Sequence, residues 1–141
     1  MRRIEEQFIA AGKVRYTYHH FAFLGPESIR AAEASECARE QGRFWDYADT
    51  LFANQRGENQ GAFADQYLKS FGDGLGLATL AFNACLDTRR YRAAVEGETL
   101  DGQQHGVQST PTIFINGVRQ EPASFEDYIK AIEAALAGVG G

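Results

Sequence analysis

Positive charge, long apolar runs and clustered metal ligands are all scarce in this sequence of 141 residues. Fourteen Lys and Arg stand against nineteen Asp and Glu, for a formal charge of -5 and a pI near 5.2. That balance argues against a phosphate-binding surface, and no basic cluster with interleaved aromatics occurs, so no nucleic acid partner is expected. No apolar run reaches the length that spans a bilayer, and no membrane partner is expected either. Arg2 and Arg3 mimic the charged start of a secretory leader, but Glu5, Glu6 and Gln7 interrupt before an apolar stretch forms. As written, the chain is expected to stay in the cytoplasm; an upstream true start would make it extracytoplasmic. His19 and His20 are neighbours on a predicted strand and point to opposite faces, while His105 stands alone at a helix C-terminus, so no metal is expected. No P-loop, G-x-G-x-x-G or G-x-S-x-G is present, and no cofactor is called for. The two cysteines, Cys37 and Cys85, are too far apart for a Cys-x-x-Cys, and both fall inside predicted helices.

What is present is enough for one domain with a real core. The hydrophobic fraction is 44%, with 10 Phe, 6 Tyr and 1 Trp. Residues 2 to 11 read as a helix with Ile4, Phe8 and Ile9 on one stripe and Gly12 as its stop. Lys13 to Phe23 alternates Val14, Tyr16 and Tyr18 against Arg15, Thr17 and His19, the period of a strand. Pro26 opens a helix whose buried face carries Ala31, Ala34, Cys37 and Ala38 and which stops at Gly42. Phe44, Tyr47, Ala48, Leu51 and Phe52 mark a second helix, and Phe63, Tyr67, Leu68 and Phe71 a third, with Asn54 to Gly61 as loop. Gly72-Asp73-Gly74 reads as a turn. A fourth helix covers Leu77 to Leu86, and Asp87 or Thr88 is expected to cap a longer one running to about His105. Thr112 to Ile115 is a β-branched and aromatic run bounded by Pro111 and by Asn116-Gly117, which predicts a strand, a two-residue turn and a returning strand. Ser124 and Asp127 form an approximate capping box for a last amphipathic helix through Phe125, Tyr128, Ile129, Ile132 and Leu136, with Gly138 to Gly141 as a frayed tail.

Thr110-Pro111-Thr112, an apolar strand and Asn116-Gly117 together resemble the cis-proline loop and β-hairpin of thioredoxin-fold proteins. Leu24-Gly25-Pro26-Glu27-Ser28, Ala31-Ala32-Glu33-Ala34, Glu36-Cys37-Ala38, Gln41-Gly42, Phe44-Trp45 and Phe82-Asn83-Ala84-Cys85-Leu86 resemble the helical insertion of the DsbA-like thiol-disulfide oxidoreductases. The resemblance covers nearly all of residues 13 to 135. It implies an α/β, thioredoxin-like domain spanning residues 1–141, with a helical insertion at about 26–105 and a cis-proline, hairpin and C-terminal helix at about 107–137. It also implies that the first strand and the family's Cys-x-x-Cys belong before Met1, and the expectation is an N-terminally truncated member. One departure stands out, Ala22 where many relatives have proline.

In such proteins the reacting thiolate sits at a helix N-terminus, and the cis-proline loop offers backbone groups to an extended polypeptide. The resemblance therefore makes Thr110 and Pro111 candidate substrate-binding residues and leaves no catalytic residue in the chain. Three readings of Cys37 and Cys85 stay open: two buried thiols, a structural disulfide, or a redox-active pair. The resemblance supports the second, since some DsbA-like proteins carry a non-catalytic bridge within the insertion. Phe44, Trp45, Tyr47 and Phe52 read as core, or as the border of a groove for unfolded peptide. A missing central strand is expected to be compensated in one of three ways: an intertwined homodimer, which is preferred; direct pairing of Val14 to Phe21 with Thr112 to Ile115; or residues upstream. The functional expectation is protein disulfide exchange without a nucleophile in this chain. The alternative is a non-catalytic peptide-binding or dimerisation module, and a weaker one looks to the glutathione-transferase relatives of the same fold.

Overall fold

The structure is a computed structural model that describes residues 2–122 and 124–139. It contains two compact units, one made of His19–Gly106 and one made of the two chain ends, up to Tyr18 and from Val107 onward.

The His19–Gly106 unit is helical. Its elements are α2 (Pro26–Arg39), α3 (Phe44–Asn54), α4 (Asp65–Gly74), α5 (Thr79–Asp87) and α6 (Arg92–Gln104). Helix α2 packs against all four of the others, so it is buried on every side from Ala31 to Ala38. Small residues at 31, 32, 34, 35, 37 and 38 permit that close approach. Burial on one face only was the expectation; four neighbours place Glu33 and Glu36 inside as well, and both have charged partners. Tyr47, Leu68, Phe82, Cys85 and Leu86 complete this core. Gly72 and Gly74 do not make the expected turn but lie within α4. At Gly72 the reason is contact, because a Cβ there would meet the Phe82 ring at 3.0 Å. Asp87 and Thr88 cap nothing ahead of α6. Arg89 takes a left-handed conformation with φ 52, which breaks the chain after α5, and Thr88 instead donates its hydroxyl to the Ala84 carbonyl at 2.7 Å.

Helix α2 starts as its proline suggests, but Glu27 serves the loop beside it. Its carboxylate accepts the Gly61 N–H at 2.6 Å and the Phe63 N–H at 3.3 Å. Arg30 reaches from α2 to α4, donating Nε to Asp65 Oδ1 at 2.8 Å and NH2 to Oδ2 at 2.6 Å. This fork holds the Asp65 carboxyl below its ordinary value of 3.8. A carboxyl depressed by folding stabilises above its unfolded value and loses that contribution as pH falls through the folded one. Asp65→Asn is therefore expected to cost a little at pH 7, under about 1 kcal/mol because the carboxylate is half exposed. Urea unfolding should show wild type and variant converging as the pH drops below 3.8; a gap that persists in acid would refute the assignment.

The other unit holds α1 (Arg2–Ile4), which continues as a π-helical segment Glu5–Ile9, then β1 (Ile113–Ile115), β2 (Val118–Gln120) and α7 (Phe125–Val139). Gly12, at φ 69, ends the first helical segment. Asn116 and Gly117, at φ 49 and 79, make the tight turn between strands that pair Ile115 with Val118 and Ile113 with Gln120. Phe8, Ile129 and Ile132 form the core, with Ile4, Val14, Ile115 and Leu136 against it. The Ser124 hydroxyl accepts the Asp127 N–H at 3.3 Å, as a capping box does. Helix α7 runs through Gly138, so the tail does not begin there, and Gly140 and Gly141 lie outside the described residues.

Lys13 to Phe23 does not form the strand that its alternation suggests, nor does it pair with Thr112 to Ile115. Among the described residues the sheet has two strands, β1 and β2. A strand needs a ladder partner. Here the His20 N–H goes to the Glu98 carboxylate at 2.5 Å and the Ala22 N–H to the Thr99 hydroxyl at 3.0 Å, both on α6. The backbone at these positions is satisfied by helix side chains instead of a neighbouring strand.

Candidate functional site

Thr110 and Pro111 lie at the base of the hairpin in the unit formed by the chain ends. The peptide bond between them is cis. The hairpin fixes where they stand: Ile115 is packed on the Phe8, Ile129 and Ile132 core, and α7 lies against β1. Gln108, Ser109, Thr110 and Pro111 are all exposed. Thr112 donates its hydroxyl to the Ser109 carbonyl at 2.6 Å and closes the loop on itself. Between Val107 and Ile115 there is no ionisable side chain. Such a loop can bind through amide and hydroxyl groups; it has no acid, base or thiol with which to carry out a reaction.

Cys37 and Cys85 lie in the helical unit and are joined, with Cα atoms 5.9 Å apart. They are 1% and 0% exposed. Each sits well inside its helix, Cys37 in α2 and Cys85 in α5, away from the helix start that lowers a thiol pKa. Neither feature suits a reacting sulfur, which needs thiolate character and access. Of the three readings left open by the sequence, the geometry is that of a buried staple between two helices.

The aromatic stripe divides. Tyr47 is fully buried and donates its hydroxyl to the Leu68 carbonyl at 2.8 Å. Trp45 and Phe52, seven positions apart and so on one face of α3, are 51% and 75% exposed. Phe44 packs edge-on against Trp45 at 5.0 Å and near His20 at 6.1 Å.

Sequence reasoning gives little weight to a group that the fold makes prominent. His20 is 5% exposed, with Nε2 2.9 Å from Glu36 Oε1. Glu36 also pairs with Arg39. Glu33, at 1% exposure, is held by Arg30 and by a fork from Arg89. The signal in the sequence is two glutamates inside a run of alanine, serine and cysteine, where a solvated helix face has no reason to carry so many small residues. Among the described residues no group of His, Cys, Asp and Glu could hold a metal ion, and no helix is long and apolar enough to cross a membrane.

A family model described as Thioredoxin matches residues 1–134. The probable disulfide bond formation protein D of Bacillus cereus is 27% identical over 138 residues, which is 95% of this chain and 63% of that protein. The Na(+)/H(+) antiporter NhaA 1 of Salinispora arenicola is 33% identical over 129 residues, 89% of this chain and 19% of that protein. Among solved structures, oxidised BdbD from Bacillus subtilis aligns with a TM-score of 0.86 at 26% identity, covering 97% of this chain and 76% of that one. The chain thus spans about a fifth of the antiporters' length and just under two thirds of the disulfide bond formation protein.

Proposed function

Because this chain belongs to the thioredoxin family, in its DsbA-like group of thiol-disulfide oxidoreductases, we propose that it serves protein disulfide exchange by holding an extended polypeptide at the Thr110–Pro111 loop, without supplying the reacting sulfur. The observation that carries this reading is the pairing of an exposed loop, rich in hydrogen-bonding groups, with two cysteines that are both bonded and buried. An extended peptide binds through its main chain, and an anchored loop that presents amide and hydroxyl groups suits that mode. The buried Cys37–Cys85 bond favours an oxidising, extracytoplasmic setting.

The test uses the purified chain. It should not accelerate the reduction of insulin by dithiothreitol, and it should bind a fluorescent cysteine-containing peptide in an anisotropy titration. Thr110→Ala together with Gln108→Ala should weaken that binding several-fold. Insulin turnover that disappears in Cys37→Ser would overturn the reading, as would peptide binding that is indifferent to the loop.

A second reading, a homodimer completing the sheet, is favoured by β1 having β2 as its one strand partner among the described residues. Light scattering on the same sample decides it, since a monomer at low micromolar concentration would count against pairing.

A further inference from the structure

The helices that carry the two cysteines are joined a second time, one turn away. Glu33 precedes Cys37 by four residues on α2, and Arg89 follows Cys85 by four, two residues past the last residue of α5. Arg89 donates Nε to Glu33 Oε2 at 3.2 Å and NH2 to Oε1 at 2.5 Å. The two cross-links run in opposite order along the two helices, so α2 and α5 are antiparallel and stapled by two rungs. Glu33 is 1% exposed, and a carboxylate in that position is tolerated only when it is fully paired. Arg30 supplies its remaining partner and also donates to the Leu86 carbonyl at 3.1 Å, on the helix of Cys85.

The backbone at Arg89 is a second, independent observation. With φ 52 it occupies the left-handed position that closes a helix, one that glycine usually takes. The Arg89 N–H bonds the Leu86 carbonyl at 3.1 Å, and the Arg90 N–H bonds the Cys85 carbonyl at 3.2 Å. An arginine held there has its guanidinium directed back at α2, and the closing bond of the helix end lands on Cys85 itself.

We propose that the Glu33–Arg89 pair is a positioning device for the cysteines: it keeps α2 and α5 in register when the thiols are reduced, so the bond can open and close without dissolving the helical unit. Closure by glutathione disulfide runs in two exchanges. One cysteine thiolate attacks a sulfur of the oxidant, forming a mixed disulfide and releasing one glutathione thiolate. The second cysteine thiolate then attacks the protein sulfur of that mixed bond and releases the other. Two electrons pass to the oxidant and two protons leave the protein thiols. Both cysteines are buried, so exchange goes through local opening, and the ion pair is what returns the thiols to each other.

The experiment equilibrates the full chain in mixtures of reduced and oxidised glutathione and reads the effective concentration of the thiol pair, with far-UV circular dichroism on each form. Glu33→Gln is expected to lower the effective concentration roughly tenfold to hundredfold, the range for a buried hydrogen-bonded charge. Arg89→Gly is expected to do the same, because glycine accepts the left-handed backbone while the guanidinium is lost. In both variants the oxidised form should keep its helical signal and the reduced form should lose part of it. Wild type should keep it in both states. Lys69→Ala, which removes the exposed pair with Asp87 on α5, should change nothing. The proposal is overturned if Glu33→Gln and Arg89→Gly leave the effective concentration unaltered. It is also overturned if reduced wild type loses its helices, or if the variants fail to fold even when oxidised.

Discussion

Tyr47→Ala is expected to destabilise the protein by about 3–5 kcal/mol, the range for removing a large aromatic side chain from a packed core. Tyr47 is 0% exposed; its ring lies 5.5 Å from that of Phe82, and its hydroxyl reaches the Leu68 carbonyl at 2.8 Å. One side chain on α3 thus touches α4 and α5 together. Burial pushes its hydroxyl far above the ordinary tyrosine value, so the buried group stays neutral. Tyr47→Phe keeps the ring and loses only the bond to the Leu68 carbonyl, which lies inside α4 and keeps its helical N–H donor, for a smaller loss of about 0.5–1.5 kcal/mol. Urea unfolding of the oxidised protein measures both. A loss under about 1 kcal/mol for the alanine variant would mean that this core can collapse around the gap.

Removing the staple comes next in size. The Cys37–Cys85 bond closes a separation of 48 residues, and in the chain-entropy model such a link stabilises by about 4 kcal/mol through the unfolded state. Cys37→Ala with Cys85→Ala, or full reduction of wild type, is expected to lower the melting temperature by roughly 10 °C for a chain of this size. The double variant should be indifferent to reductant, and reduced wild type should melt close to it. Equal melting temperatures with and without reductant in wild type would show that the bond contributes nothing to stability. The loss acts on the helical unit, which contains both cysteines.

Oxidised BdbD and the disulfide bond formation protein are each longer than the stretch they share with this chain, as are the antiporters. This chain contains the exposed loop at Thr110 and Pro111 and the helical unit, and its two cysteines are joined to each other. Holding a polypeptide and exchanging its disulfides are separable tasks. The first needs shaped backbone and apolar surface, and the second needs an accessible thiolate.

The sequence by itself determined whatever depends on neighbours a few residues apart. Asn116 and Gly117 accept positive φ, so the hairpin and its register were legible from that dipeptide and the apolar run ahead of it. Ser124 and Asp127 marked the start of α7 through a bond three residues long. The helices of the insertion followed from apolar spacing, and family motifs in order pointed to the fold. The tertiary structure alone decided what depends on distant partners. Lys13 to Phe23 alternates like a strand, yet a strand exists only if another lies beside it, and at His20 and Ala22 the partners are Glu98 and Thr99 of α6. Gly72 looked like a turn because its spacing carries no trace of the Phe82 ring against it. Glu33 and Glu36 are inside only because α3, α4, α5 and α6 pack around α2. Cys37 could have stayed a thiol, and it met Cys85 because two antiparallel helices, with an ion pair one turn away, brought the sulfurs together. Local conformational preference is written residue by residue, whereas burial and pairing are set by which elements pack together.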